Sequence, residues 1–94
     1  MKIQRTGSDN EGKFYIEENG KNIALMTYKK LSDGVIMIDH TEVDSNHRGE
    51  KIGEDLVAEG VKYARENNLK IAPTCPFAKA EFDKHDEYRD VLSK

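Results

Sequence analysis

The chain has 94 residues, which is room for one compact domain and one site. With 36% hydrophobic and 35% charged residues it can build a small core under an ionic surface, and its single cysteine, Cys75, excludes an internal disulfide. The 18 acidic and 15 basic residues are mixed along the chain and sum to −3, which excludes the one-signed field that attracts nucleic acid. No apolar run reaches the roughly 20 residues that span a bilayer, and Met1 to Arg5 do not read as a signal peptide. With the lone thiol, this gives the expectation of a cytoplasmic protein with no membrane partner.

A short strand around Ile3 opens the chain, and residues 6–12, polar and flanked by glycine, read as a loop. Lys13 to Glu17 alternates as the next strand, and Asn19-Gly20 predicts a type I′ turn, since both central positions need positive φ. Residues 22–30 continue as a strand with Ile23, Leu25 and Thr27 on one face and Ala24, Met26 and Tyr28 on the other. After the turn at Ser32-Asp33-Gly34, Val35 to Val43 is apolar on both faces in its first half, like a central strand covered on both sides, and polar in its second. From Gly49 to Asn67, Ile52, Leu56, Val57, Val61 and Ala64 recur at helical spacing and predict one long amphipathic helix, closed by Asn67 and Asn68.

Leu69 to Ala72 follows as a short strand, so strand, helix and strand form a β-α-β unit with parallel strands. A second helix runs from Phe77 to His85 with Pro76 in its first turn, and residues 86–92 read equally as a strand or a helical tail. The predicted class is α/β in the α+β sense, a single domain over residues 1–94. Its mixed, mostly antiparallel sheet is a β-meander followed by a β-α-β unit and a short C-terminal helix.

Open sheets of this kind bind ligands at the carboxyl ends of strands, beside the following helix. That corner is His40 to Gly53, where Arg48, Gly49 and Gly53 meet a helix start whose free N–H groups and dipole suit a phosphate. The plainer account is that the glycines permit a tight turn and close packing. Glu50, Glu54 and Asp55 suit the dipole but oppose an anion, and Arg48 and Lys51 are the local positive charges.

His40-Thr41-Glu42-Val43, four residues of loop, then Arg48-Gly49-Glu50-Lys51-Ile52-Gly53 with Leu56 beyond, resembles the acetyl-CoA-binding motif of the GNAT superfamily of N-acetyltransferases. It is most similar to the small GNAT-like branch that also carries a cysteine after the next strand, here Cys75, and the resemblance runs from the Phe14-Tyr15-Ile16 hairpin to Tyr88. It implies a minimal GNAT-like fold, acetyl-CoA as co-substrate and acetyl transfer to an amine. Val43, Arg48, Gly49, Glu50, Lys51, Ile52 and Gly53 are then the cofactor segment, with backbone N–H groups on the pyrophosphate and the preceding strand along the pantetheine arm. Lys51 stands where the family pattern usually has glycine; it serves by its N–H if its φ and ψ are helical and its side chain has room.

The transfer needs a base, a polarised carbonyl and an acid for the departing thiolate. His40 and Glu42 share a strand face and are the candidate bases, against a plain reading in which His40, Asp39 and Thr41 satisfy one another. Cys75 falls where it caps the second helix, a setting that favours thiolate; the resemblance puts it near the thioester, as an acyl carrier or mixed-disulfide former, and the plain reading is a cap. Tyr88 is the candidate acid or a core-packing aromatic. His47 and His85 read as exposed or helix-terminal, and no histidine or cysteine spacing suggests a metal.

Two other activities fit the same residues: a CoA-binding or interaction module without turnover, and a thiol enzyme using Cys75 with His40. The superfamily's additional N-terminal helices, which wall the acceptor site, have no counterpart in the chain. The expected acceptor face is therefore open, completed by a protein or peptide substrate or by a second copy in a homodimer.

Overall fold

The computed structural model describes residues 2–93. Strand β1 (Gln4–Gly7) pairs with β2 (Glu11–Glu18), so the loop between them is only residues 8–10, not the predicted 6–12. Gly7 and Gly12 are directly opposed, and a Cβ on Gly7 would lie 2.4 Å from the Gly12 Cα. Glycines that read as loop punctuation are here the pair that lets two strands approach.

The Asn19-Gly20 turn, at φ 54° and 77°, leads into β3 (Lys21–Ser32), as the type I′ pattern requires. β4 (Val35–Val43) folds back antiparallel after Gly34. α1 (Ile52–Glu66) then crosses to β5 (Lys70–Pro73), which pairs parallel with β4 and completes the sheet order β1-β2-β3-β4-β5. α1 ends as expected: Asn68 is left-handed at φ 56° and the Leu69 N–H returns to the Ala64 carbonyl. α2 (Pro76–Lys84) leads to a 3-10 helix over Asp86–Val91, after which Leu92 bridges Ile71. The tail is helical and then briefly strand-like, which is why propensity favoured neither.

One sheet face is the core. Phe14, Ile16, Ala24, Met26, Tyr28, Ile36 and Ile38 point from it toward Leu56, Val57, Val61 and Ala64 of α1. A Cβ on Gly60 of α1 would lie 2.9 Å from Met26 Cε and 3.8 Å from Ile38 Cδ1, so helix and sheet approach closely there. α2 lies beside α1 through Phe77 on Gly53, and Arg65 of α1 clamps the tail through two bonds to Asp90.

The other face, with Lys13, Tyr15, Leu25, Thr27, Met37 and Asp39, is at most half-buried, and Ile23, expected beside Leu25, is instead inserted at a bulge opposite Ile16 and Glu17 and buried in the core. The expectation that β4 is covered on both sides is therefore corrected: its odd-numbered apolar residues, Val35 and Met37, are half-buried on an open face. Their apolar character reflects strand propensity and packing with neighbours in the sheet rather than a second layer of helices.

Candidate active site

Parallel pairing of β4 with β5 stops at Ile38 and Pro73. The Ile38 carbonyl there accepts from the Thr74 N–H, the Cys75 N–H and the Thr74 hydroxyl at 3.0–3.2 Å, which turns the chain away from the sheet. β4 runs on to Val43, held by β3 on one side, so its other edge faces open space from Asp39 onward. A free strand edge offers N–H and C=O groups to an extended ligand.

Just there β4 contains a bulge. Thr27 pairs with His40 but its neighbour Tyr28 pairs with Ile38, so Asp39 is an inserted residue. Its carboxylate accepts from the Thr27 hydroxyl at 2.6 Å, on the open face. Past the bulge the register places Thr41 with Met26 and Val43 with Ala24, toward the helices, while His40 and Glu42 join Thr27 and Leu25 on the open face.

A cleft of about 560 Å³ fills the angle between β4 and the start of α1, walled by residues 41–43, 47–49 and 51–54 and by Phe77. It therefore brings together Val43, Arg48, Gly49, Lys51, Ile52 and Gly53 of the expected cofactor segment. Glu50 is not in the wall; it turns back to His47, 3.3 Å away. The approach is ordered by Asp44, whose carboxylate accepts the Asn46 N–H at 2.9 Å and pairs with Lys21. That N–H bond first, and then Lys21, hold the Asp44 carboxyl below its usual range.

α1 begins at Ile52, not Gly49, because Lys51 is left-handed at φ 61° and ψ 24°. The room expected for its side chain is present, since Lys51 is exposed, but the helical φ and ψ are not; this is a conformation in which a lysine is strained by about 1 kcal/mol. The first helical bond is Asp55 N–H to the Lys51 carbonyl, and no side chain caps the helix. The N–H groups of Ile52, Gly53 and Glu54 thus lack helical partners at the cleft wall. Arg48 and Lys51 are its cations, and the opposing Glu54 lies in the field of Lys84. Lys51→Gly is expected to raise stability by about 0.5–1 kcal/mol, a few degrees in thermal midpoint. The same change should weaken anion binding, since it removes a charge; a lowered midpoint would contradict the strain.

The four candidate catalytic residues do not converge. His40 Nε2 and Glu42 Oε2 are 3.1 Å apart on the open face, both exposed, with Glu42 also reaching the cleft wall. Cys75 is buried behind Thr41: its Sγ lies 3.4 Å from the Thr41 hydroxyl and accepts the Ala78 N–H at 3.4 Å as the cap of α2. Tyr88 is outside the cleft wall, packed on Phe82 and His85; burial, and then Glu87 and Glu81, push its phenol up, so it stays protonated at neutral pH. Among the described residues, no three His, Cys, Asp or Glu side chains gather to hold a metal ion.

Thr41, His47, Glu54 and Phe77 are the wall residues that sequence reading missed as site groups. Thr41 was hidden by the bulge, and Phe77 by being read only as the start of the second helix; 39% of it is exposed.

A free strand edge, an uncapped helix start and two cations are groups that an extended, phosphate-bearing ligand can use. The sequence pattern described as GCN5-related N-acetyl-transferase matches residues 13–91, and the chain belongs to that family. By family it is an N-acetyltransferase with acetyl-CoA as donor. The solution structure of a GCN5-like presumed N-acetyltransferase from Staphylococcus aureus is 38% identical over 96% of this chain and 87% of that one, with a TM-score of 0.73.

Two others share the fold at lower identity. A presumed streptothricin acetyltransferase from Bacillus anthracis, in complex with acetyl coenzyme A, is 21% identical over 82% of this chain and 46% of that one (TM-score 0.64). The ribosomal-protein-S18-alanine N-acetyltransferase from Escherichia coli is 14% identical over 83% and 53% (TM-score 0.66). The chain spans about half the length of both. No curated protein matches it.

Proposed function

We propose that residues 1–94 act as a single domain that moves the acetyl group of acetyl-CoA to an amine reaching the sheet from its open face. The carrying observation is the uncapped start of α1 facing the cleft beside the free edge of β4. The N–H groups of residues 52–54, with Arg48 and Lys51, take the pyrophosphate, and the edge of β4 up to Val43 pairs with the pantetheine arm. The thioester then lies at the split beyond Ile38.

The acceptor nitrogen attacks the thioester carbon, forming the amide bond as the C–S bond breaks. His40 and Glu42, already paired on the face from which the amine arrives, take the proton lost by the ammonium. The thiolate leaves as CoA and is protonated from solvent or from Tyr88. Cys75, buried as a cap, is kept as the acyl-carrier alternative. With only one sheet face covered, a protein or peptide acceptor, or a second copy of the chain, completes the acceptor wall. No helix among the described residues is long and apolar enough to cross a membrane, and a cytoplasmic location belongs to the same proposal.

Titration of acetyl-CoA is expected to shift the amides of Val43 and residues 48–53 first; amides unmoved at millimolar ligand would sink the assignment. Glu42→Gln with His40→Gln should lower kcat about a hundred-fold while leaving the affinity for acetyl-CoA unchanged. If acetyl-CoA binds and no amine in a panel is acetylated, the chain is a binding module; loss of turnover in Cys75→Ser with binding intact would move the chemistry to the thiol.

A further inference from the structure

Phe77 is exposed although it is large and apolar, and the reason is a specific seat. A Cβ built on Gly53 would lie 2.8 Å from Phe77 Cζ and 3.0 Å from Cε2, so the ring rests on Gly53 where any larger residue would displace it. Gly53 has ordinary helical backbone, so no φ requirement explains a glycine there. The open space over Gly49, by contrast, has no neighbour that a side chain would meet. The two glycines of the Arg-Gly-x-x-x-Gly string thus do different things: Gly49 gives the loop its positive φ of 89°, and Gly53 gives an aromatic ring its place.

The ring's position along the cleft is set from both ends. Its own backbone is two residues from Cys75, whose Sγ is at Thr41 beside the free edge of β4, and its tip is at Gly53 in the first turn of α1. A ligand running from the helix start to the β4 edge passes this wall.

We propose that Phe77, seated on Gly53, is a cofactor-binding residue that forms the apolar wall for the pantetheine arm, and that the missing side chain of Gly53 serves the ring while its N–H stays with the phosphate. The inference rests on the cofactor placement proposed above. The arm is an aliphatic chain with two amides; its amides suit the β4 edge and its methylenes suit the ring. The phosphates are held by the backbone N–H groups and the cations rather than by the ring.

The test is calorimetric titration of the whole chain with two probes, acetyl-CoA and 3′-phospho-ADP, which keeps the pyrophosphate and lacks the arm. Phe77→Ala is expected to weaken acetyl-CoA about ten-fold, the measure of roughly 60 Å² of lost apolar contact, and to leave 3′-phospho-ADP within about two-fold. Gly53→Ala should cost acetyl-CoA a similar factor in the native background and less than about two-fold when Phe77 is already alanine, because no ring remains to displace.

Equal losses of both probes in Phe77→Ala, or an undiminished Gly53→Ala effect in the double variant, would overturn the assignment. Alanine is a better helix former than glycine, so Gly53→Ala keeps α1, and Phe77→Leu, expected to recover most of the acetyl-CoA affinity, guards against loss of fold. Failure of the native chain to bind either probe would strike the cofactor placement itself, whereas native binding with an indifferent Phe77 would strike only this inference.

Discussion

Arg48→Glu is expected to weaken acetyl-CoA binding about a hundred-fold. Arg48 stands at the cleft wall in extended backbone just before the start of α1, and it and Lys51 are the cations there. A unit pair at 4 Å is worth about 1 kcal/mol in water and about 4 kcal/mol near a protein surface, and charge reversal exchanges attraction for repulsion. A net change of about 2.7 kcal/mol is a factor of a hundred. Because the site is open, the effect should shrink as salt rises from 0.05 to about 0.5 M, where screening acts within a few ångströms. Calorimetry at two ionic strengths reads both; native affinity in the variant would remove Arg48 from the cofactor segment, and a salt-independent loss would mean the variant had disturbed the loop instead.

Leu56→Ala is expected to cost about 3 kcal/mol of folding stability, the middle of the range for a buried leucine in a packed core. Leu56 has no exposed surface and lies on the α1 face that covers the sheet. In a domain of this size that loss lowers the thermal midpoint by more than about 10 °C. Denaturant unfolding should show a reduced midpoint with an unchanged slope. A drop below about 1 kcal/mol would mean that the core around α1 collapses readily onto the space left behind.

The architecture could be read from the chain because its signals are local and periodic. Asn19-Gly20 dictated its turn, the spacing of Ile52, Leu56, Val57, Val61 and Ala64 dictated α1, and Pro76 marked the first turn of α2. Errors fell where a residue's role depends on a partner far along the chain. Gly7 reads as a breaker until Gly12 is opposite it, and Val35 and Met37 read as doubly buried until the helices prove to lie on one face. For the site, the string 48–53 was visible as a motif, and most of it lines the cleft. The left-handed Lys51, the ring on Gly53 and the side taken by His40 were not, since each follows from tertiary register rather than from composition.

The inserted Asp39 acts on β4 as a phase slip acts on a periodic signal. Before it, even-numbered residues look toward the helices; after it, odd-numbered ones do. Without the slip, His40 and Glu42 would stand inside the cleft with Arg48 and Lys51, and Thr41 and Val43 would lie outside. With it, Thr41 and Val43 line the cleft while His40 projects from the opposite face, and of the exposed His40–Glu42 pair only Glu42 also reaches the cleft wall.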